Sequence, residues 1–107
     1  MDGEISPDRL AELLANDADV EIVDVREPEE FEAGHIPGSV NVPLPALSTE
    51  VDRIGPAERI VTVCPHGEAS IQAARLISAF GGLDEPTIES LDGGMDAWEG
   101  DLVSGDE

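Results

Sequence analysis

Between Ile60 and Ile77 the chain reads as a buried strand, a short loop and a helix, and every other segment has to be arranged around that unit. Ile60-Val61-Thr62-Val63 is dominated by β-branched side chains, which suit a pleated, buried surface. After the loop Cys64-Pro65-His66-Gly67-Glu68-Ala69-Ser70, Ile71, Ala74 and Ile77 recur with helical spacing, with Leu76 and Phe80 beside them. Cys64, the single cysteine of the chain, stands where the strand ends. The first amides of a helix lack intrahelical partners and point beyond its N-terminus. The partial positive charge there favours a thiolate, which is the nucleophilic form of cysteine. Gly67 lets the backbone curl so that amides face inward. Pro65 offers no amide hydrogen and biases Cys64 toward an extended backbone. The loop therefore reads as a cradle for an anion, or a sulfur anion, over Cys64.

With 107 residues the chain makes one domain, large enough to bury a core without disulfide staples. One cysteine permits no intrachain disulfide and no dithiol redox couple, and leaves open chemistry that needs a single thiolate. No apolar run is long enough to span a membrane and no basic, apolar N-terminus resembles a signal peptide, so the expected location is cytoplasmic. Acidic residues number 25 against five arginines, with no lysine, for a formal charge of −20. Such a charge excludes nucleic acid and anionic membranes as partners. Its self-repulsion destabilises the compact state in dilute buffer and is screened in molar salt, where the Debye length falls to about 3 Å. Together with the few aromatics, this balance resembles that of proteins from salt-accumulating halophiles.

Ser6-Pro7-Asp8 starts a helix, with a capping hydroxyl, proline in the first turn and an early acid. Leu10, Leu13 and Leu14 give it one apolar stripe, and Asn16 to Asp19 ends it. Val20 to Val25 is a strand whose Ile22, Val23 and Val25 suit burial on both faces. Asp24 and Arg26 fall at its carboxyl end, the edge where open α/β sheets bind ligands, and are expected near the cysteine loop in a supporting role. The simpler role for them is an ion pair tying two loops together. A short helical turn from Pro28 carries Phe31, and Gly34-His35-Ile36-Pro37-Gly38 is a tight turn. His35 there is expected to bond nearby backbone rather than act as a base.

Ser39 to Val42 reads as a short strand, followed by a weak helix with Leu47, Val51 and Ile54 that Gly55-Pro56 ends. Gly81-Gly82 closes the helix after the cysteine loop, Pro86 to Leu91 is the last strand, and Trp98 in a final short helix covers the core. Residues beyond about Leu102 form an acidic tail that is expected to fray. Alternating strands and helices imply a three-layer α/β fold with a mainly parallel central sheet, and the first and last helices are expected on the same face. Two histidines and one cysteine on separate elements offer no metal site, and no phosphate-binding glycine fingerprint is present.

Three stretches in order resemble the rhodanese-like sulfurtransferases. Asp24-Val25-Arg26-Glu27 with Glu30-Phe31 and Gly34 through Pro43 is similar to the family's first signature. Cys64 through Ser70 resembles the active-site loop of its short, single-domain members. Leu91-Asp92-Gly93-Gly94-Met95-Asp96-Ala97-Trp98 is similar to its closing signature. The resemblance implies a persulfide mechanism without a cofactor. Cys64 would take sulfane sulfur from thiosulfate or a persulfide donor, with amides of His66 to Ser70 around it, and pass it to cyanide, a thiol or a protein acceptor.

Many loops of the family carry a basic residue that helps an anionic donor bind; here Ala69 and Ser70 occupy the end of the loop, and Glu68 places a carboxylate within it that works against such a donor. His66 reads equally as a hydrogen-bond donor at the loop mouth and as an exposed spacer. Ser70 reads as a partner of the sulfur anion or, more simply, as the cap of the next helix. A phosphatase or arsenate reductase would need an arginine in the loop to grip a tetrahedral oxyanion, and Arg75 lies a further turn along. A non-catalytic interaction module is the other alternative, in which Cys64 is kept for packing alone.

Overall fold

The computed structural model describes residues 2–50, 53–54, 57–80 and 87–105. Among these residues five strands form one sheet: β1 (Asp2–Ile5), β2 (Val20–Asp24), β3 (Val40–Asn41), β4 (Arg59–Val63) and β5 (Thr87–Leu91). Their spatial order is β1-β5-β4-β2-β3, and every pairing is parallel. The helices are α1 (Pro7–Ala15), α2 (Pro28–Ala33), α3 (Leu47–Glu50), α4 (Ala69–Phe80) and α5 (Gly94–Ala97), with a 3₁₀ turn at Leu44–Ala46. The expected three-layer α/β architecture is therefore present.

Local chemistry explains most element boundaries. Ser6 caps α1 by accepting from the Arg9 amide at 3.1 Å, and Pro7 fills the first helical position, where a missing N–H costs nothing. In α2 the Glu27 amide, otherwise an orphan of the helix start, donates to Glu30 Oε1 at 3.3 Å. On β4, Ile60 faces one apolar cluster with Cys64, while Val61 and Val63 face the other. That strand is buried on both faces, as its position at the centre of the sheet requires.

The two clusters define the two outer layers. Leu10, Leu13 and Leu14 of α1 pack with Met95 and Trp98 against Ile22, Val61, Val63 and Leu91, so α1 and α5 do share a face. On the other face Leu47 of α3 and Ala73, Ala74 and Ile77 of α4 cover Val23, Ile60 and Ile88. Each fully covered Leu or Ile contributes about 1.5–3 kcal/mol of burial.

One strand goes beyond the sequence reading, and one expectation is corrected. The strand β1 has no counterpart in the sequence reading, because Asp2-Gly3-Glu4-Ile5 carries one apolar side chain and no alternation. It forms at the sheet edge because β5 supplies the pairing partner, with Ile5 buried and its carbonyl accepting from Asp92 N at 2.9 Å. The chain beyond Leu102 does not fray at once. Val103 and His35 exchange backbone hydrogen bonds of 2.8 and 2.9 Å, and Gly105 N donates to Glu32 O at 2.8 Å. Backbone pairing with the Gly34–Gly38 turn outweighs the polar composition there. The expected Val51, Gly55-Pro56, Gly81-Gly82 and Pro86 features lie outside the described residues. No helix among the described residues is long and apolar enough to cross a membrane.

Candidate active site

Chain order makes the site. The chain leaves β2 for β3 on one side and leaves β4 for β5 on the other, so the carboxyl ends of β2 and β4 open at the point where strand order reverses. Open parallel sheets bind ligands at such a crevice. Cys64 is the first residue past β4, and Asp24, beside Val63 in register, ends β2.

Cys64 is a free thiol, 2% exposed. The Gly67 amide donates to its Sγ at 2.9 Å. Its thiol donates to Ser70 Oγ at 3.3 Å. Ser70 Oγ is in turn 2.5 Å from Ser90 Oγ. Gly67 has φ +90°, the left-handed region open to glycine, and a Cβ there would stand 2.9 Å from Gly93 N. The turn is also fastened to the start of α5, since Met95 N donates to Cys64 O at 2.8 Å and Asp96 N to Pro65 O at 3.1 Å. Gly67 is thus required twice, for its backbone conformation and for close approach to the Gly93-Gly94 turn.

The other loop residues take distinct positions. His66 is exposed, with Nδ1 2.6 Å from Asp96 Oδ2 across the loop mouth. Glu68 is exposed and its carbonyl accepts from Ile71 N at 3.2 Å, the first bond into α4. Ala69 opens that helix, so Ser70 lies inside it. The capping role expected of Ser70 is corrected accordingly: its hydroxyl is buried against Cys64 and Ser90, two residues past the cap position held by Glu68.

Asp24 and Arg26 lie at the neighbouring strand end, bonded to each other rather than to the cysteine loop. Arg26 Nη2 approaches Asp24 Oδ2 at 2.7 Å and Nε approaches Oδ1 at 2.9 Å, a two-point fork. Arg26 Nη2 also donates to Gly34 O at 2.8 Å, which ties β2 to the turn after α2. Asn41 Nδ2 donates to the carbonyls of Asp24 and Arg26, both at 3.0 Å. His35 is buried, stacks on Phe31 with centroids 3.7 Å apart, and places Nδ1 2.7 Å from Phe31 O.

Sequence reasoning passed over Thr62 and Ser90. They are register partners on β4 and β5, both fully buried, and Thr62 Oγ1 donates to Ser70 O at 2.7 Å. A signal for Thr62 was present, since Thr62 interrupts an apolar strand at the position in phase with Cys64. Among the described residues no group of three or more potential metal ligands converges.

Fold and site together define a class: a parallel α/β domain whose lone thiol, on the carboxyl edge of the sheet, accepts from a backbone amide of the turn that follows it. The Rhodanese-like domain family matches residues 6–101, and the chain belongs to that family. It is similar to the thiosulfate sulfurtransferase GlpE of Pseudoalteromonas translucida, 38% identical over 100 residues that span 89% of this chain and 87% of the relative. The GlpE of Pseudomonas aeruginosa is 33% identical over 94 residues, covering 88% of this chain and 81% of the relative. Among solved structures, a rhodanese-like domain protein from Staphylococcus aureus superposes with a TM-score of 0.83 at 28% identity, over 96% of this chain and 98% of its own.

Proposed function

We propose that the chain is a sulfurtransferase that carries sulfane sulfur as a persulfide on Cys64, from thiosulfate or a persulfide donor to cyanide, a thiol or a protein acceptor. The observation that carries this reading is the Gly67 amide aimed at Cys64 Sγ from 2.9 Å, a donor already placed for a sulfur anion. With thiosulfate, the Cys64 thiolate attacks the sulfane sulfur, the S–S bond of the donor breaks, and sulfite leaves with the electron pair. The product, Cys64-S-S⁻, needs hydrogen-bond donors and no metal or second thiol. The acceptor's nucleophile then attacks the outer sulfur, and the pair of the broken bond returns to Cys64. Both GlpE relatives bear the name thiosulfate sulfurtransferase, which supports this chemistry.

Glu68 beside the loop, with no loop cation to offset it, favours a persulfide donor over thiosulfate. We further place the protein in the cytoplasm of a salt-accumulating cell, on its charge of −20. A thermal midpoint that does not rise between dilute and molar salt would count against that setting.

Intact mass of the reduced protein in high-salt buffer, before and after thiosulfate and then with cyanide, tests the reading. A gain of one sulfur that cyanide removes, absent in Cys64→Ser, is expected. No gain from thiosulfate or from a persulfide donor would overturn it. The 2% exposure of Cys64 favours one alternative, an interaction module in which the thiol only packs. Resistance of Cys64 to alkylation until the protein unfolds would select that alternative.

A further inference from the structure

We infer that Ser90 is a positioning residue for the sulfur of Cys64, acting through the hydroxyl of Ser70. A serine hydroxyl has one hydrogen to give and two lone pairs to fill. Ser70 Oγ lies between Cys64 Sγ at 3.3 Å and Ser90 Oγ at 2.5 Å, and both serines are fully buried. Ser70 can therefore donate in only one of two directions at a time.

While Cys64 is a thiol, its S–H donates to Ser70 and the Ser70 O–H turns to Ser90. A sulfur anion can only accept. The Ser70 O–H then turns to the sulfur as a second donor beside the Gly67 amide, and the Ser90 O–H turns to Ser70 Oγ. The switch takes two hydroxyl rotations and moves no heavy atom. Ser90 supplies an acceptor in the first state and a donor in the second, so the Ser70 oxygen is paired in both. A donor that itself accepts a hydrogen bond is polarised and gives a stronger bond to an anion.

The sheet fixes this arrangement. Thr62 and Ser90 are register partners on adjacent central strands, and both reach Ser70, Thr62 through the Ser70 carbonyl at 2.7 Å and Ser90 through its hydroxyl. Ser70 is thus held from two sides, from strands whose Ile60 and Ile88 belong to the same apolar cluster as Cys64 and as Ala73 and Ala74 of α4. No solvent reaches Ser90, so nothing else replaces it when its hydroxyl is removed.

The place of this device in sulfur transfer rests on the persulfide reading, whereas its effect on the thiol rests on geometry alone. The test therefore measures both. Ser90→Ala should slow iodoacetamide alkylation of folded Cys64 about fivefold at neutral pH, because the bond Ser90 gives Ser70 in the anion state belongs to a charge-assisted chain and outweighs the neutral bond it accepts in the thiol state. It should lower kcat for sulfur transfer by a similar factor without raising KM for the donor. Ser90→Thr, which keeps the hydroxyl, should restore both rates to within about twofold. Ser70→Ala with Ser90→Ala should be no slower than Ser70→Ala alone, because Ser90 acts only through Ser70.

Unchanged alkylation in Ser90→Ala would overturn the inference, and so would losses that multiply in the double variant or a Ser90→Thr as slow as Ser90→Ala. Thermal melts of each variant identify a rate loss caused by loosened packing, which also counts against it. If wild-type Cys64 is alkylated but gains no sulfur, the transfer reading fails and Ser90 is judged on alkylation. If folded wild-type Cys64 is unreactive, both fail.

Discussion

Gly94 lies against Cys64 so closely that a Cβ built on it would stand 2.2 Å from the Cys64 carbonyl oxygen. The next residue, Met95, donates its amide to that same oxygen at 2.8 Å. The start of α5 is therefore the floor on which the cysteine turn rests, although 30 residues separate the two in sequence.

Gly94→Ala is accordingly expected to harm fold and site together. Its φ of +63° strains any side chain, and the new methyl also meets backbone atoms of Cys64, Pro65 and Gly67 that cannot swing aside. A loss of about 2 kcal/mol or more is expected, which is roughly 8 °C or more in thermal midpoint for a domain of this size. Gly38 provides the control. Its φ is +84° but nothing lies within 4 Å of a Cβ there, so Gly38→Ala should bear the backbone strain alone. Thermal melts of the two variants decide the matter, and equal midpoints would mean that the Gly94 contact yields easily.

What the sequence made legible follows from where the physical signals are local. Ser6-Pro7, the β-branched runs and the 3.6-residue spacing of α4 are each set by neighbouring residues, and those elements stand where they were expected. Cys64 at a strand–helix junction was equally legible, because one thiol, one glycine and one helix start lie within a few residues. The edge strand β1 was not, since Asp2-Gly3-Glu4 has no strand character until β5 pairs with it. Ser90 and Thr62 were missed for a related reason. Their importance comes from register between β4 and β5, which a linear reading does not display. Ser70 was misassigned as a cap because a two-residue difference in where α4 begins exchanges a capping hydroxyl for a buried one.

The Asp24–Arg26 pair gives a sharper stability prediction than its surface counterparts. Its side chains are 2% and 9% exposed, whereas those of Arg9–Glu12 are more than half exposed. Arg26→Leu leaves a buried carboxylate without its partner and strips a donor from Gly34 O, so a loss of about 3–5 kcal/mol is expected. Arg26→Lys should recover only part of it, because an ammonium cannot reproduce the two-point fork. Arg9→Ala should cost no more than about 1 kcal/mol. Urea titrations in high salt would show the ordering, and an Arg26→Leu midpoint close to wild type would mean that Asp24 finds another partner or solvent.

Salt should govern how strongly Glu68 acts on an anionic donor. The residue is exposed at the loop, and no loop cation offsets it. At about 0.01 M salt the Debye length is roughly 30 Å, so a carboxylate near the mouth acts on thiosulfate almost unscreened. At about 1 M it shrinks to roughly 3 Å and the effect is confined to direct contact. Glu68→Lys should therefore lower the thiosulfate concentration needed for half-maximal sulfur loading by about three- to tenfold in dilute buffer. The advantage should nearly vanish in molar salt, and Glu68→Gln should fall between the two. Loading curves measured by intact mass across a salt series provide the check. Curves that coincide at every ionic strength would place the Glu68 carboxylate away from the donor's path and would remove the argument for a persulfide donor over thiosulfate.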